Sequence, residues 1–306
     1  MRYVLITPAH NEEAFIEKTL ASVVAQTVPP ERWIVVDDGS TDKTAEIVEN
    51  YARHRPWIEL VRLSQSSGRS FSGKVHAFNA GLGRARSLTF DVIGNLDADL
   101  SFEADYLEFL LRKFEEDRKL GVAGTPFLEN GYDSAKDSFE GENHVAGGCQ
   151  LFRRECFEEI GGYVPNHAGG IDWIAVTTAR MKGWKTRSFP DKRFHHYRTL
   201  GTAGRGPLRA VFSYGEKDYY LGGSPIWEVF RVVYRTVKPP VVIGGLALLS
   251  GYCWAALRRV DRPIPRELIR FHRGEQIKKL RAILRALLRF KKVDRFRLIV
   301  DQKQSD

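Results

Sequence analysis

Apolar residues follow two rhythms along this chain. Over the first hundred positions, short runs of β-branched and aromatic residues alternate with stretches that repeat every three to four residues, the pattern of parallel βαβ units. Arg2 to Thr7 reads as a first strand, followed by a turn over Pro8 to Glu13. Phe15, Ile16, Leu20, Val23 and Val24 mark one face of a helix stopped by Pro29-Pro30. Trp33 to Val36 is a second strand, ending in Asp37-Asp38-Gly39-Ser40-Thr41-Asp42. Gly39 allows a tight turn there, and Ser40 or Thr41 can cap the helix marked by Ala45, Ile47, Val48 and Tyr51. Ile58 to Leu63 is a third strand, Gln65 to Ser72 a Gly/Ser loop, Lys74 to Arg86 a helix, and Phe90 to Leu96 a buried strand. Helical spacing returns at Tyr106, Leu107, Leu110, Leu111 and Phe114. Glu155 to Gly162 reads as a short helix closed by Gly161-Gly162, Ile174 to Met181 as another, and Trp184 to Phe189 as a last strand ending at Pro190.

The strand over Phe90 to Leu96 ends at two carboxylates one residue apart, Asp97 and Asp99. Open α/β sheets place their ligands at the carboxyl ends of their strands. Two hard oxygen donors at this spacing suit Mg²⁺ or Mn²⁺ shared with a diphosphate. A helix N-cap with a solvated turn uses the same residue type, so the tripeptide alone leaves both readings open.

Composition narrows the class. With 306 residues, 43% of them hydrophobic and 28% charged, the chain has room for one large domain and an appendage, and it is not a disordered chain. Its net charge of +9 is unevenly placed. Residues 1–200 carry 25 Lys/Arg against 29 Asp/Glu, and the remainder 22 against 9. An acidic-to-neutral body with a basic tail predicts that the tail meets a polyanion or an anionic membrane surface. Cys149, Cys156 and Cys253 have neither an even count nor metal-site spacing, which favours a reducing compartment. The first strand begins at once, with no leader pattern before it, so the expected location is the cytoplasm.

Four motifs in register then resemble one family. Pro8-Ala9-His10-Asn11-Glu12-Glu13, Val36-Asp37-Asp38-Gly39-Ser40-Thr41-Asp42, Lys74 with Phe78-Asn79-Ala80-Gly81, and Asp97-Ala98-Asp99 follow the order and spacing of family 2 glycosyltransferases. The segment Ala146-Gly147-Gly148-Cys149 to Arg154 looks like that family's small-residue strand on the acceptor side. At Gly169-Gly170-Ile171-Asp172-Trp173 the family carries Glu-Asp or a lone Asp, so only Asp172 transfers. The resemblance covers about residues 1–200. It implies an α/β, GT-A, Rossmann-like domain for nucleotide-diphospho-sugar transfer, followed over 201–306 by a mostly helical, basic extension.

The resemblance also implies roles. Asp99 would hold Mn²⁺ or Mg²⁺, with Asp97 helping through the ribose of the nucleotide sugar or through the metal. Pro8, Glu12 and chiefly Asp38 would receive the nucleotide base, where a carboxylate can accept an N–H from a pyrimidine imide or from guanine. UDP and GDP both fit that chemistry, and a UDP-sugar is favoured. Lys74 would touch phosphate or sugar, its alternative being a solvated first-turn lysine. Asp172 would be the general base at the positive end of a helix, its alternative being a plain N-cap. One of His195 and His196 would complete the metal site or meet the diphosphate, and the sequence does not choose between them. The processive synthases' Gln-x-x-Arg-Trp segment has no counterpart here, so the implied activity is inverting addition of a single sugar.

Two other functions compete. A nucleotidyltransferase of related fold would carry a Gly-rich basic loop after strand one, and Pro8 to Glu13 has no glycine. A catalytically silent nucleotide-sugar-binding module is weighed against by the presence of Asp38, Asp97, Asp99 and Asp172 together.

In the tail, residues 241–257 form an apolar stretch of 17 residues, short of the roughly 20 that span a bilayer; a buried hairpin, a membrane-dipping helix and a core helix all fit it, and membrane contact is favoured. Over Glu267 to Phe290, Ile277, Leu280, Ile283, Leu284, Leu287 and Leu288 share one helical face, and Lys278, Lys279, Arg281, Arg285 and Arg289 cover the other. A basic amphipathic helix of this kind suits an anionic lipid surface, with a helix packed on the protein as its alternative. Nucleic acid is not expected, because no recognised binding motif accompanies the charge. Peripheral attachment to the inner face of the cell membrane would bring the site to a lipid-linked or saccharide acceptor.

Overall fold

The computed structural model describes residues 1–64, 71–137, 141–166, 169–198, 206–238 and 240–289. Residues 65–70 of the expected loop over 65–72 and the last residue of the expected terminal helix, Phe290, lie outside them, while Phe71 and Ser72 open a helix and not a loop. The chain divides into two compact units, Met1–Arg198 and Thr199–Asp306.

The first unit begins with β1 (Tyr3–Ala9), α1 (Ile16–Val24), β2 (Arg32–Asp37), α2 (Thr44–Ala52), β3 (Ile58–Arg62), α3 (Phe71–Ala85) and β4 (Val92–Leu96). It continues through β5 (Leu100–Ser101), α4 (Tyr106–Glu116), β6 (Leu120–Gly124), β7 (Phe127–Glu129), β8 (Tyr132–Asp133) and α5 (Ser134–Asp137). It closes with β9 (Cys149–Arg153), α6 (Arg154–Glu159), α7 (Ile171–Met181), β10 (Lys185–Ser188) and β11 (Phe194–His196).

Seven strands form one sheet in the order β10-β6-β9-β4-β1-β2-β3, in which only β9 runs antiparallel to its neighbours. Both faces are buried, which explains the near-continuous apolar strands. Along β1 and β2, Tyr3, Leu5, Trp33 and Val35 join the core on one face; Val4, Ile6, Ile34 and Val36 join the core on the other. A smaller sheet, β5-β11-β7-β8, sits beside the carboxyl end of β4.

The sequence reading is amended at five further places. β1 runs on to Ala9, so Pro8 lies in the strand and not in a turn. Its missing N–H costs little, because pairing with β4 has already ended at Ile6↔Asn95. α2 is not capped by Ser40 or Thr41. It starts at Thr44, whose N–H donates to Asp42 Oδ1 at 3.0 Å, while Ser40 and Thr41 bond to Asn11 instead. The small-residue segment is a strand only over Cys149–Arg153, and that strand lies between β4 and β6 inside the sheet. Residues 117–145, which carry no clear period, supply β6 and the hairpin β7-β8. Finally, His195 and His196 do not merely follow the last strand, because they lie on β11.

The second unit holds α8 (Pro207–Tyr220), α9 (Pro225–Thr236), α10 (Ile243–Leu257) and α11 (Arg266–Leu288). Glycines let α8 and α10 meet backbone to backbone. A Cβ on Gly251 would lie 2.0 Å from the Phe212 carbonyl oxygen, and one on Gly215 would lie 2.0 Å from that of Leu248. Gly251→Ala must therefore push two helices apart. It is expected to lower the melting temperature of the full chain at a cost of about 1–3 kcal/mol, the range for overpacking a close contact. An unchanged melting curve would disprove that crossing. No described helix is long and apolar enough to cross a membrane.

Candidate active site

The loops after β1 and β2 form one shelf. The strands run parallel in the register Pro8↔Val36 and Ala9↔Asp37, so both chains leave the sheet side by side. Side-chain bonds then stitch them together: Glu12 N–H to Thr44 Oγ1 at 2.8 Å, Thr41 N–H to Asn11 Oδ1 at 2.8 Å, and His10 Nδ1 with the Asp38 carbonyl at 2.7 Å. Glu12 and the buried Asp38 lie on this shelf, and Pro8 stands just before it near the end of β1.

Next along the sheet edge, β4 delivers Asp97 and Asp99. Asp97 N–H donates to the Gly148 carbonyl at 2.8 Å, and Asn95 Nδ2 donates to that of Gly147 at 2.8 Å. The strand end is thus tied to the glycines that precede β9. Lys74, near the start of α3, lies 2.5 Å from Asp97 Oδ1. Burial opposes the charge on Lys74, but Asp97 first, then Asp172 and Asp99, outweigh it and hold the ammonium above the ordinary lysine range.

Asp99 is buried. Burial and the nearby Asp97 push its carboxyl above the usual carboxylate range, against the pull of His196, Lys74 and Arg198. His196 Nε2 stands 3.6 Å from Asp99 Oδ1, and Nδ1 stands 3.1 Å from Glu129 Oε2 on β7. In the tautomer that donates Nδ1–H to Glu129, the Nε2 lone pair faces Asp99, the orientation that a carboxylate gives a metal-binding imidazole. Ligand atoms of Asp97, Asp99 and His196 lie within 4.8 Å of one another. Two carboxylates and an imidazole form a donor set for a divalent cation, and the crowding that raises Asp99 is what such a charge would relieve.

Strand alternation decides between the two histidines. Successive side chains on β11 point to opposite faces, so His196 is buried beside Asp99 while His195 is exposed. His195 is no part of this cluster.

Asp172 occupies the first turn of α7, whose N-cap is Gly170 with φ 74°. The N-cap alternative for Asp172 is therefore excluded. Its neighbour Ile171 is buried in the core, which explains an apolar residue at that position. Gly147 makes room for the carboxylate: a Cβ there would sit 2.8 Å from Asp172 Oδ2 and 2.9 Å from its Cβ. Gly147→Ala is expected to displace Asp172 and lower kcat by roughly 10-fold to 10²-fold, as small misplacements of a reacting group do. Donor affinity should stay near wild type. Normal kcat in this variant would show that Asp172 need not hold its position.

Three contributors escaped the sequence reading. Arg198 places Nη2 2.6 Å from Glu12 Oε2 and Nε 3.6 Å from Asp99 Oδ2, linking the shelf to the acidic cluster. Glu12 thereby gains a cationic partner of its own. A period of two from His196 pointed to Arg198, but nothing near Asn95 or Glu129 in the chain indicated their roles. Cys149 and Cys156 are buried, and burial pushes each thiol up to about 12, so both are packing residues and not nucleophiles.

A mostly parallel βαβ sheet with clustered acids at its strand ends puts a ligand site at the carboxyl edge of the sheet. Residues 4–136 match the family "Glycosyl transferase family 2", and the fold is the GT-A fold of the solved glycosyltransferases described below. The chain is 33% identical over 122 residues to the poly-beta-1,6-N-acetyl-D-glucosamine synthase of Staphylococcus aureus (strain COL), a match covering 40% of this chain and 27% of that protein. The corresponding synthase of Staphylococcus epidermidis is 26% identical over 199 residues, 59% of this chain and 44% of that one. The matches thus span less than half the length of these relatives. Among solved structures, the mannosyltransferase PcManGT from Pyrobaculum calidifontis, in complex with GDP-Man and Mn²⁺, superposes with TM-score 0.55 at 20% identity, covering 94% of this chain and 80% of that one. S. aureus TarS 1-349 in complex with UDP-GlcNAc gives TM-score 0.56 at 17% identity, with 97% and 89% coverage. At these identities the structures establish the fold.

Proposed function

We propose that the chain is an inverting, metal-dependent glycosyltransferase that moves one sugar from a nucleotide diphosphate sugar to an acceptor hydroxyl. The observation that carries this is the convergence of Asp97, Asp99 and His196 with Lys74, whose charge also responds to Asp172. A UDP-sugar is the favoured donor; the solved relatives named above hold UDP-GlcNAc and GDP-Man.

Asp38, with Pro8 and Glu12, receives the base. Asp99 and His196, with Asp97, hold Mn²⁺ or Mg²⁺, which when bound neutralises the leaving diphosphate. Lys74 adds a fixed positive charge on the same side, held in place by Asp97. Arg198, anchored by Glu12, brings a second cation to that side. Asp172 takes the proton of the acceptor hydroxyl from the opposite side. The acceptor is a lipid-linked or polysaccharide hydroxyl, and the basic unit 199–306 attaches to the anionic cytoplasmic face of the membrane, with no nucleic-acid partner.

The test is a panel of UDP- and GDP-sugars, scored for binding by calorimetry and for slow hydrolysis, with Mn²⁺ and with EDTA. Hydrolysis of one donor that needs the metal is the expected result. Binding without any turnover would reduce the chain to a nucleotide-sugar-binding module.

A further inference from the structure

α10 is built the wrong way round for a helix in water. The side it turns to the rest of its unit carries the small residues Gly244, Gly245, Gly251 and Ala255 beside Leu248 and Tyr252, all buried, whereas Ile243, Leu246, Trp254 and Leu257 face outward. Leu257 is 80% exposed. Burying large apolar side chains is the main drive of folding in water, so an aqueous helix turns them inward. Small residues inside and large ones outside is the arrangement of helices whose surroundings are themselves apolar. α9 also turns a row of apolar side chains outward. Ile226, Val229, Val233 and Val237 recur every three or four residues at 60–72% exposure, while Trp227 and Glu228 are buried.

The charges that directly follow these two helices are positive, the first acidic residue beyond them being Asp261. Arg235 and Lys238 stand at the end of α9, Arg258 and Arg259 follow α10, and α10 itself has no charged residue. The Arg258 guanidinium lies over the Trp254 ring at 4.4 Å, a pairing of cation and aromatic suited to the headgroup level of a bilayer. A 15-residue helix rises only about 22 Å against a hydrocarbon core of about 30 Å, so it lies along a membrane and does not cross it.

We propose that α9 and α10 together form a lipid-binding surface, with their outward apolar side chains in the acyl boundary of an anionic bilayer and the four flanking cations on its phosphates. This rests on the reading of unit 199–306 as membrane-attached, and it moves the inserted element away from the basic helix α11. There Leu268, His272, Gln276 and Ile283 are buried within the unit, which leaves the lysines and arginines of α11 to add a salt-screened attraction.

Cys253 provides the test, because it is exposed on α10 while Cys149 and Cys156 are buried. The full-length protein would carry a polarity-sensitive fluorophore on Cys253 and be mixed with vesicles of phosphatidylcholine and phosphatidylglycerol. The expected result is a blue shift, quenching by spin-labelled acyl chains and protection from aqueous iodide. The variant Leu246→Ser/Trp254→Ser/Leu257→Ser should bind the same vesicles about 10²-fold more weakly, with nucleotide-sugar hydrolysis and circular dichroism unchanged. Vesicle binding with the probe still open to iodide would overturn this surface and leave membrane attachment standing. Absence of vesicle binding would remove both. A probe shielded before lipid is added would mean that protein, a second copy or another part of this chain, covers the face, and that too overturns the proposal.

Discussion

Asp172→Asn is expected to lower kcat by roughly 10²–10⁴-fold while leaving donor affinity within about twofold of wild type. Asparagine keeps the shape that fits against Gly147, so the substitution removes the proposed proton acceptor together with one of the charges that hold the Lys74 ammonium. The N-cap of α7 is Gly170, so the helix start does not depend on the Asp172 side chain. Steady-state kinetics with the preferred donor and acceptor would read the split between kcat and KM, and calorimetry would read donor binding. A matching loss of both would assign Asp172 to binding or structure. Full retention of kcat would remove it from the mechanism.

Asp99→Asn should produce opposite changes in activity and stability. A neutral amide is a poor ligand for a hard cation facing a diphosphate, and the metal's electrostatic share of the barrier is several kcal/mol. We expect kcat/KM to fall by about 10³-fold, and EDTA treatment of the wild type to reproduce most of that loss. Stability is expected to hold or rise. The folded protein keeps the Asp99 carboxyl above its ordinary range, first by burial and then by the charge of Asp97, so the ionised form opposes folding. Removing that charge relieves the crowding, although Arg198 loses a partner at 3.6 Å. Melting curves without metal would test this half. A wild-type activity indifferent to EDTA would end the metal assignment, and a large drop in melting temperature would mean that Asp99 is chiefly structural.

Much of the catalytic frame is written in local sequence. The βαβ order, the buried strand ahead of Asp97 and Asp99, and the helix behind Asp172 each depend on a period of two or on helical spacing, which record the side facing the core. Those periods are set within a few turns of chain, so they are visible in one dimension. The acidic pair falls at a strand end for the same reason. Asp97 stops the apolar run there, and the polar residues beyond it gather along the sheet's carboxyl edge.

The rest depended on pairings between distant segments. His196 was separated from His195 only when β11 paired with β5 and β7, because that register turns one ring toward Asp99 and the other to solvent. Glu129 reaches His196 across 67 residues, and Arg198 reaches Glu12 across 186, so neither partnership leaves a local trace. The role of Gly147 emerges only when α7 sets a carboxylate against it. In the tail, the sequence marked residues 241–257 as apolar, but only helix packing decided which side faces outward. Close approach to α8 and α9 requires the glycine side, and the bulky side chains of α10 are left on the surface.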